Sequence, residues 1–256
     1  MSSSVTDMIE RIRQKTRRMV SARVARRDLA FQLPQPIVSF TFDDFPQNAA
    51  TVGGRILKDF GVTATYYISV GLMGTTAPTG QIIGREDLPA LVSAGHELGC
   101  HTFEHCHAWE TDARTFARSL DRNQEEIKKL IPTLVFETMS YPISVPSPGI
   151  KREAGKRFAG CRGGGQAFNV GVLDRNHLKA FFLEKTRARF EPVEAVIEQN
   201  RRAKGWLIFA THDIDEHHTH YGCTPAFFAA TVECAVRSGA LILPVAAACR
   251  RSLGQG

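Results

Sequence analysis

The strongest constraint on the fold is the alternation of strand-like and helix-like stretches after Pro36. The strand candidates cover 37–42, 62–69, 96–101, 136–141, 158–162, 180–184, 205–211 and 240–243. The helix candidates lie between them, near 47–59, 85–94, 111–130, 150–157, 192–203 and 224–238. Strands that alternate with helices form βαβ units, so this order predicts an α/β fold with a parallel sheet.

Six or more such units in one domain favour a barrel, complete or distorted. A doubly wound open sheet is the competing architecture. The stretch CRGGG at 161–165 has glycines without the spacing of a nucleotide-binding fingerprint, so it adds little support for the open sheet. A chain of 256 residues, 43% of them hydrophobic, is long enough for one sizeable core.

The amino-terminal segment differs from the rest of the chain in charge. Residues 1–30 hold eight Lys or Arg and three Asp or Glu, which is +5 of the total formal charge of +6. The remainder is close to neutral, so the main domain has no nucleic-acid footprint. Val5, Met8, Ile9 and Ile12 follow helical spacing. We therefore predict a basic helical extension over 1–35 and a main domain over 36–256. Residues 1–30 would pack on the domain, form a subunit contact or bind an anionic membrane surface.

Cysteine spacing and the absence of targeting signals bear on the compartment. The six cysteines form no CxxC pair, which argues against a zinc knuckle or a redox motif. The first residues lack the features of a secretory signal, and no apolar run reaches the roughly 20 residues that span a bilayer. These observations predict a soluble, cytoplasmic protein with reduced thiols.

Polar and titratable side chains recur where the predicted strands end. In barrels and in open α/β sheets, functional residues lie at the carboxyl ends of the strands. The residues at these ends are Asp43, Asp44, His101, Tyr141, Arg162 and His212. Together they predict one site at one end of the sheet.

The stretch VSFTFDDFP, at 38–46, delivers two adjacent carboxylates from an apolar strand. Side chains alternate along a strand, so Asp43 and Asp44 could point apart. If they lie close together, like charges disfavour joint ionisation, and a metal cation would stabilise them. One carboxylate could then bind the metal while the other accepts a proton from water. The alternative is a helix N-cap beside an incidental acid.

The stretch HTFEH places His101 and His105 four residues apart. If the chain turns helically after the strand, both imidazoles lie on one face. Together with one carboxylate they would form a site for Zn²⁺, Fe²⁺, Co²⁺ or a similar ion, with open positions for water and substrate. His107 is treated as a flanking residue. Chance surface histidines are the alternative for this spacing.

His212 ends the apolar strand WLIFAT. A histidine at a buried strand end can be a core residue, but opposite a metal site it makes a good general acid because its ordinary pKa lies near neutrality. His217, His218 and His220 follow in a polar loop and are predicted to be solvated. No GxSxG elbow is present, which disfavours a serine esterase.

Three of these motifs resemble the signatures of the polysaccharide deacetylases, the NodB-homology group of carbohydrate esterase family 4. They are TFDD at 41–44, GHELGCHTFEH at 95–105 and FATHD at 209–213, and the resemblance runs from about Ile37 to Val245. It implies a distorted (β/α) barrel of about seven strands that binds a divalent metal. Zn²⁺ is favoured, with Co²⁺, Ni²⁺, Fe²⁺ or Mn²⁺ as alternatives.

The resemblance also implies a role for each matching residue. Asp44, His101 and His105 would be metal ligands, Asp43 the general base and His212 the general acid. The motif SYP at 140–142 falls at the family's third motif, where Tyr141 would give its backbone N–H to the oxyanion.

Two features depart from the family pattern. Ser140 stands in a region where the family often has an Arg that steadies the catalytic Asp, and Arg162 at the next strand end is predicted to replace that Arg. The family's usual Asp that orients the acid histidine has no evident counterpart.

The sequence thus predicts a metal-dependent hydrolase that removes acetyl groups from N-acetylated sugars in a polysaccharide, an oligosaccharide or a peptidoglycan-type substrate. The same chemistry would suit O-acetyl esters, formyl amides or cyclic amides. An alternative of another class is a non-catalytic carbohydrate-binding or scaffold protein on a decayed barrel.

Overall fold

A computed structural model describes residues 2–143 and 145–254. The strands are β1 (Asp28–Phe31), β2 (Ile37–Phe42), β3 (Thr65–Ile68), β4 (Thr76–Ala77), β5 (Gly80–Gln81), β6 (Glu97–Cys100), β7 (Thr138–Ser140), β8 (Gly160–Arg162), β9 (Gly171–Asp174), β10 (Phe181–Phe182), β11 (Trp206–Thr211) and β12 (Leu241–Ile242). The α-helices are α1 (Ser2–Arg23), α2 (Gly54–Asp59), α3 (Leu88–Ser93), α4 (Ala113–Leu130), α5 (Pro148–Arg157), α6 (Glu191–Ala203), α7 (Pro225–Arg237) and α8 (Val245–Ser252). In this part of the chain no helix combines the length and the apolar character needed to cross a membrane.

Seven strands form one parallel row in the order β10, β11, β2, β3, β6, β7, β8, and β12 adds to β2. Backbone hydrogen bonds also join the two ends of the row. The N–H of Leu178 donates to Cys161 O (2.8 Å), and the N–H of Gln166 donates to Ala180 O (2.9 Å), just before β10. The row therefore curves back on itself, and the predicted distorted barrel is confirmed.

Alternate residues of β2 enter two separate apolar clusters. Phe40 and Phe42 join the larger cluster and contact Phe228 of α7, with ring centroids 5.8 and 5.5 Å away. Ile37 joins a smaller cluster with Trp206 and with residues of α8. Because side chains alternate across a strand, the two clusters lie on opposite faces of the sheet. Burial on both faces explains why four of the six residues of β2 are apolar, with Ser39 and Thr41 buried between them.

The β4–β5 hairpin, the β1–β9 pair and α8 were not predicted. β1 pairs antiparallel with β9, with Asp28 opposite Asp174, and α8 follows β12. Both strands have four residues and carry charged ends, so they lack a clear two-residue hydrophobic period. Long-range pairing, rather than local propensity, makes them strands.

Buried polar contacts anchor the carboxyl end of α1 to the barrel. The ammonium group of Lys151 in α5 is fully buried and donates to Ser21 O (2.7 Å), Val24 O (2.9 Å) and Asp174 Oδ2 (2.6 Å). A cation at a helix C-terminus satisfies carbonyls that have no partner within the helix. The guanidinium of Arg27 donates to Gly155 O (2.8 Å) in the same way.

His177 makes this anchor sensitive to acid. Its Nδ1 lies 3.4 Å from Ser21 Oγ, and burial, assisted by the positive charge of Lys151, lowers the pKa of His177 to about 4. An unfolded histidine titrates near pH 6.5, so between pH 6.5 and 4 the unfolded chain binds more protons than the folded one. Stability is therefore lost as pH falls, by up to about 3 kcal/mol from this residue.

We expect His177→Gln to flatten this part of the stability profile. Urea unfolding at several pH values between 4 and 7 would measure it, with the exposed His218→Gln as the control. Equal slopes for wild type and His177→Gln would contradict the assignment.

Candidate active site

Five strand ends supply the six polar residues of one site. Asp43 and Asp44 follow β2, His101 follows β6, Ser140 ends β7, Arg162 ends β8 and His212 follows β11. All belong to the parallel row, so their carboxyl ends meet at one end of the barrel. The structure thereby places the charged residues that the sequence singled out at the same mouth.

A left-handed backbone turn brings both carboxylates to this mouth. The N–H of Asp43 still donates to Thr211 O (3.0 Å), so the chain continues the ladder with β11 up to that residue. Asp44 then adopts φ +58° and Phe45 adopts φ +64°. This break in the strand removes the alternation that would turn the two side chains to opposite faces.

His101 and His105 also meet through a tight turn. The helical turn expected after the strand is absent, because Thr102 has φ +62° and His105 has φ +54°. The hydroxyl of Thr102 accepts a hydrogen bond from Cys106 N (2.9 Å), which stabilises the loop. The ring centroids of His101 and His105 are 5.0 Å apart, so the expectation of a helical turn is wrong while the proximity of the two rings holds.

Asp44, His101 and His105 form a compact set of donor atoms. Asp44 Oδ1 lies 3.5 Å from His101 Nε2 and 3.0 Å from His105 Nε2, and one ligand atom from each residue lies within 4.8 Å of the others. Within the described part of the chain, this is the one such group of His, Cys, Asp or Glu.

The buried carboxylate of Asp44 fits a bound cation. Its Oδ1 is buried without a hydrogen-bond partner, whereas Oδ2 accepts from Thr79 Oγ1 (3.1 Å). Burial would raise the pKa of Asp44, but the two histidines outweigh it and lower that pKa. Two imidazole nitrogens and one carboxylate oxygen suit a first-row divalent ion such as Zn²⁺ or Co²⁺.

Ser140 fixes the tautomer of His101. The Nδ1 of His101 lies 3.0 Å from Ser140 O and 2.6 Å from Ser140 Oγ, and the Ser140 hydroxyl donates to Asp43 Oδ1 (3.0 Å). Since the hydroxyl proton goes to Asp43, the proton between Ser140 and His101 belongs to Nδ1. Nε2 therefore keeps its lone pair for the cation, as in other metal-bound histidines.

Asp43 forms a buried ion pair with Arg162. The Arg162 guanidinium donates from Nη2 to Asp43 Oδ1, and both side chains are almost fully buried. Burial would raise the pKa of Asp43, but Arg162, together with His101 and His212, outweighs it and lowers that pKa. Asp43 is therefore ionised at neutral pH.

The aromatic rings of Tyr67 and Phe182 flank the Arg162 guanidinium, whose centre lies 5.2 and 5.5 Å from their centroids. Its Nη1 donates to Gly163 O (3.2 Å). Arg162 lies on the strand next to β7, so it reaches Asp43 from a different strand than the family's usual Arg would.

We expect Ser140→Ala to weaken divalent-metal binding by about tenfold, because the variant removes one acceptor for His101 Nδ1. Isothermal titration with Zn²⁺ would measure the change. Ser69→Ala is the matched control, since the buried Ser69 hydroxyl donates to the carbonyl of His101 (2.9 Å) and not to its ring. Equal losses in both variants would mean that Ser140 has no special role in orienting the ring.

A backbone carbonyl orients His212. Its Nδ1 lies 3.2 Å from Tyr221 O, so Nδ1 carries a proton and Nε2 is the exchangeable nitrogen. Burial lowers the pKa of His212, and the negative charges of Asp43 and Asp44 act in the opposite direction. Asp213 holds this loop by accepting from Thr219 N (2.7 Å) and Thr219 Oγ1 (2.6 Å).

Tyr141 does not present its backbone N–H to the site. That N–H donates to Arg162 O (2.9 Å) in the ladder between β7 and β8, and the Tyr141 hydroxyl donates to Asn176 O (2.9 Å). The expected oxyanion donor is therefore already paired, and Tyr141 has no part in the reaction proposed below.

Sequence reasoning missed Glu184, in the short 3-10 helix that follows β10. Its Oε2 is buried without a hydrogen-bond partner, and burial raises the pKa of Glu184 to about 7. Asp43 and Arg162 are close enough to affect that pKa. Its position could have identified Glu184 from the sequence, because it is the last residue of the predicted strand 180–184 and the other site residues also lie at strand ends.

Four other histidines, which follow the HTFEH and FATHD motifs in the chain, lie outside the donor set. His107 Nδ1 accepts from Trp109 N (3.1 Å) and Glu110 N (3.2 Å) and so closes a turn. His217, His218 and His220 are exposed.

Sequence comparison gives one family match. The family model described as Polysaccharide deacetylase matches residues 32–156. This range contains the Asp44, His101 and His105 donor set and Asp43, and it ends before Arg162. No curated protein sequence matches the chain.

Solved structures show that the fold is shared over most of the chain. A family 4 acetyl xylan esterase from Clostridium thermocellum, in complex with a cobalt ion, is 19% identical with a TM-score of 0.59, over 86% of this chain and 93% of that one. The peptidoglycan deacetylase PdaC from Bacillus subtilis is 15% identical with a TM-score of 0.54, over 87% and 93%. BA3943 from Bacillus anthracis, a family pseudoenzyme, is 11% identical with a TM-score of 0.57, over 85% and 66%.

Proposed function

We propose that this chain, whose residues 32–156 match the family model described as Polysaccharide deacetylase, is a member of that family and a metal-dependent hydrolase that removes acetyl groups from N-acetylated sugars. The observation that carries the proposal is the buried Asp43–Arg162 pair beside the donor set of Asp44, His101 and His105. A base held in its ionised form next to a cation site is what hydrolysis of an unreactive amide requires.

Asp44, His101 and His105 would hold the cation. A bound divalent ion supplies Lewis acidity toward the acyl oxygen and lowers the pKa of water. His101 and His105 are neutral donors and Asp44 supplies one negative charge, so the set leaves a net positive charge at the site.

Asp43 would accept the proton of the attacking water. Arg162 and Ser140 both donate to Asp43 Oδ1, which orients the carboxylate and leaves Oδ2 for the incoming proton. The pKa of Asp43 is lowered, which keeps it in the form that can accept a proton.

His212 would protonate the departing nitrogen. The proton on Nδ1 stays there, donated in a hydrogen bond to the carbonyl of Tyr221, so Nε2 is the atom that gives its proton to the amine. Burial favours loss of that proton. Water adds to the acetyl carbon, the C–N bond breaks, and the products are acetate and an amino sugar.

The test is acetate release from N-acetylglucosamine oligomers, peptidoglycan fragments and acetylated xylan by the full chain. The protein would be treated with EDTA and assayed again with Zn²⁺, Co²⁺ or Ni²⁺ restored. Metal-restored release from the amino-sugar substrates is expected. Release from acetylated xylan alone would favour an ester substrate. No release from a chain that binds metal stoichiometrically would contradict the proposal and favour formyl amides, cyclic amides or a non-catalytic role.

A further inference from the structure

Helix α1 turns its apolar face away from the barrel. Arg17 is 4% exposed, donates to Glu110 Oε1 (3.3 Å) and lies over the ring of Trp109, 5.3 Å from its centroid. Met8, Ile12 and Met19 are 56%, 58% and 47% exposed. At 100° per residue, these three lie within about 40° of one another and Arg17 lies about 180° from Met8.

This orientation is the reverse of that in an ordinary surface helix, whose apolar face packs on the core. The buried residues of α1, Arg17 and Ser21, lie on its polar side and contact the barrel, whereas residues 6–13 are exposed all round. The exposed apolar side is therefore not required to hold the helix there. We call Met8, Ile9, Ile12 and Met19 the apolar stripe; Ile9, at its margin, is 57% exposed.

Exposed cations flank the apolar stripe. Arg11, Lys15 and Arg18 lie within about 80° of Met8 on one side, and Arg23 lies about 60° away on the other. The acids among residues 6–23 are Asp7 and Glu10, against six Lys or Arg. Long cationic side chains beside an apolar face place their charge at the headgroups while the apolar residues enter the acyl boundary.

We propose that the apolar stripe of α1 binds an anionic lipid surface, with the helix lying in the plane of the interface. A second copy of this chain fits less well, since pairing two such stripes would bring the flanking cations of both helices together. Anionic headgroups, in contrast, neutralise these cations.

The anchor of α1 makes the stripe a fixed surface. Lys151 holds the end of the helix through Ser21 O and Val24 O, so the stripe is displayed by the folded domain. α1 also lies beside the loops of the barrel mouth. Arg17 contacts Glu110, which follows the HTFEH loop, and Arg18 is close enough to affect the pKa of Lys185, which follows β10. Binding through the stripe would bring the mouth near the lipid surface.

The experiment is co-sedimentation of the full chain with phosphatidylcholine vesicles, with and without phosphatidylglycerol. We expect binding to the anionic vesicles only, with an affinity that falls as NaCl is raised. Equal binding to both vesicle types, or no binding to either, would overturn the proposal.

Two sets of variants separate the apolar and the charged contributions. We expect the triple variant Met8→Ser, Ile12→Ser, Met19→Ser to lose about tenfold or more in binding, since three apolar side chains leave the interface. Arg11→Gln, Lys15→Gln, Arg18→Gln should lose a similar factor at low salt. The control is Val135→Ser, Val172→Ser, which changes two residues that are 61% and 60% exposed elsewhere on the surface.

Acetate release from soluble oligomers should be unchanged in all three variants, so this proposal can fail without the proposed function failing. Binding of the stripe variant at the wild-type level would overturn the proposal. A second result would also overturn the proposal. If wild type does not bind vesicles but forms a concentration-dependent dimer in sedimentation equilibrium, and the stripe variant does not dimerise, the stripe contacts a second copy of this chain.

Discussion

Replacement of Asp43 by Asn is expected to lower the rate of acetate release by about 10²–10⁴-fold, the usual contribution of a positioned general base. Asn cannot accept the proton of the attacking water, although it has nearly the same shape and can still accept from Ser140. The cation donors Asp44, His101 and His105 are untouched. Zn²⁺ binding by titration calorimetry should therefore stay within a few fold of wild type.

The matched variant is Asp44→Asn, which should lose metal binding and activity together. Circular dichroism and thermal unfolding would check that both variants fold, since Asp43→Asn leaves Arg162 without its charge partner. Full turnover by Asp43→Asn would exclude Asp43 as the base. Loss of metal by Asp43→Asn would make Asp43 a ligand instead.

The largest stability effect is expected for Lys151→Met. Among the described contacts of Asp174, Lys151 is the only charged partner, and the substitution removes it. The carbonyls of Ser21 and Val24 also lose the hydrogen bonds that Lys151 donates. Breaking a buried pair from one side costs about 3–5 kcal/mol, because the remaining charge stays buried. For a chain of this size that corresponds to a fall in Tm of roughly 10 °C.

Lys156→Met is the control for Lys151→Met. Lys156 is on the same helix and pairs with Glu153 at 2.6 Å, but its side chain is 65% exposed. An exposed pair of this kind contributes about 0.5 kcal/mol or less. Urea unfolding would compare the two, and limited proteolysis would report whether α1 is released. Equal stability of both variants would contradict the anchoring role of Lys151.

The sequence was sufficient for the barrel because its elements carry their own signals. β2 and β11 are mostly apolar, and α4 and α6 are amphipathic, so local pattern located them to within a few residues. β1 and β9 lack such patterns, and their structure depends on partners far along the chain.

The cation donors and Asp43 could likewise be found from the sequence. Asp43 and Asp44 are adjacent, and His101 and His105 are four residues apart, so each pair lies within one short sequence motif. Strand order then predicted that the two motifs meet at one end of the sheet. The backbone turns that direct these side chains, with positive φ at Asp44, Thr102 and His105, were not foreseen.

Only the tertiary structure decided what surrounds those residues. Ser140 reaches Asp43 from a position 97 residues away, a distance over which local pattern carries no information. Arg162, 119 residues from Asp43, was predicted as its partner only from its place at the end of the next strand. The hydrogen-bond partner of His212 Nδ1 is the backbone carbonyl of Tyr221. Every residue has a backbone carbonyl, so the sequence does not show which one His212 contacts.

The orientation of α1 was decided in the same way. Helical spacing predicted its apolar stripe, but the buried contacts of Arg17 and Lys151 determined that the stripe faces outward. The sequence by itself thus determined the elements, the donor set and the presence of a basic amphipathic helix. Contacts between distant residues determined the pairing of the base, the orientation of the acid and the exposed face of the helix, because these depend on packing and not on local periodicity.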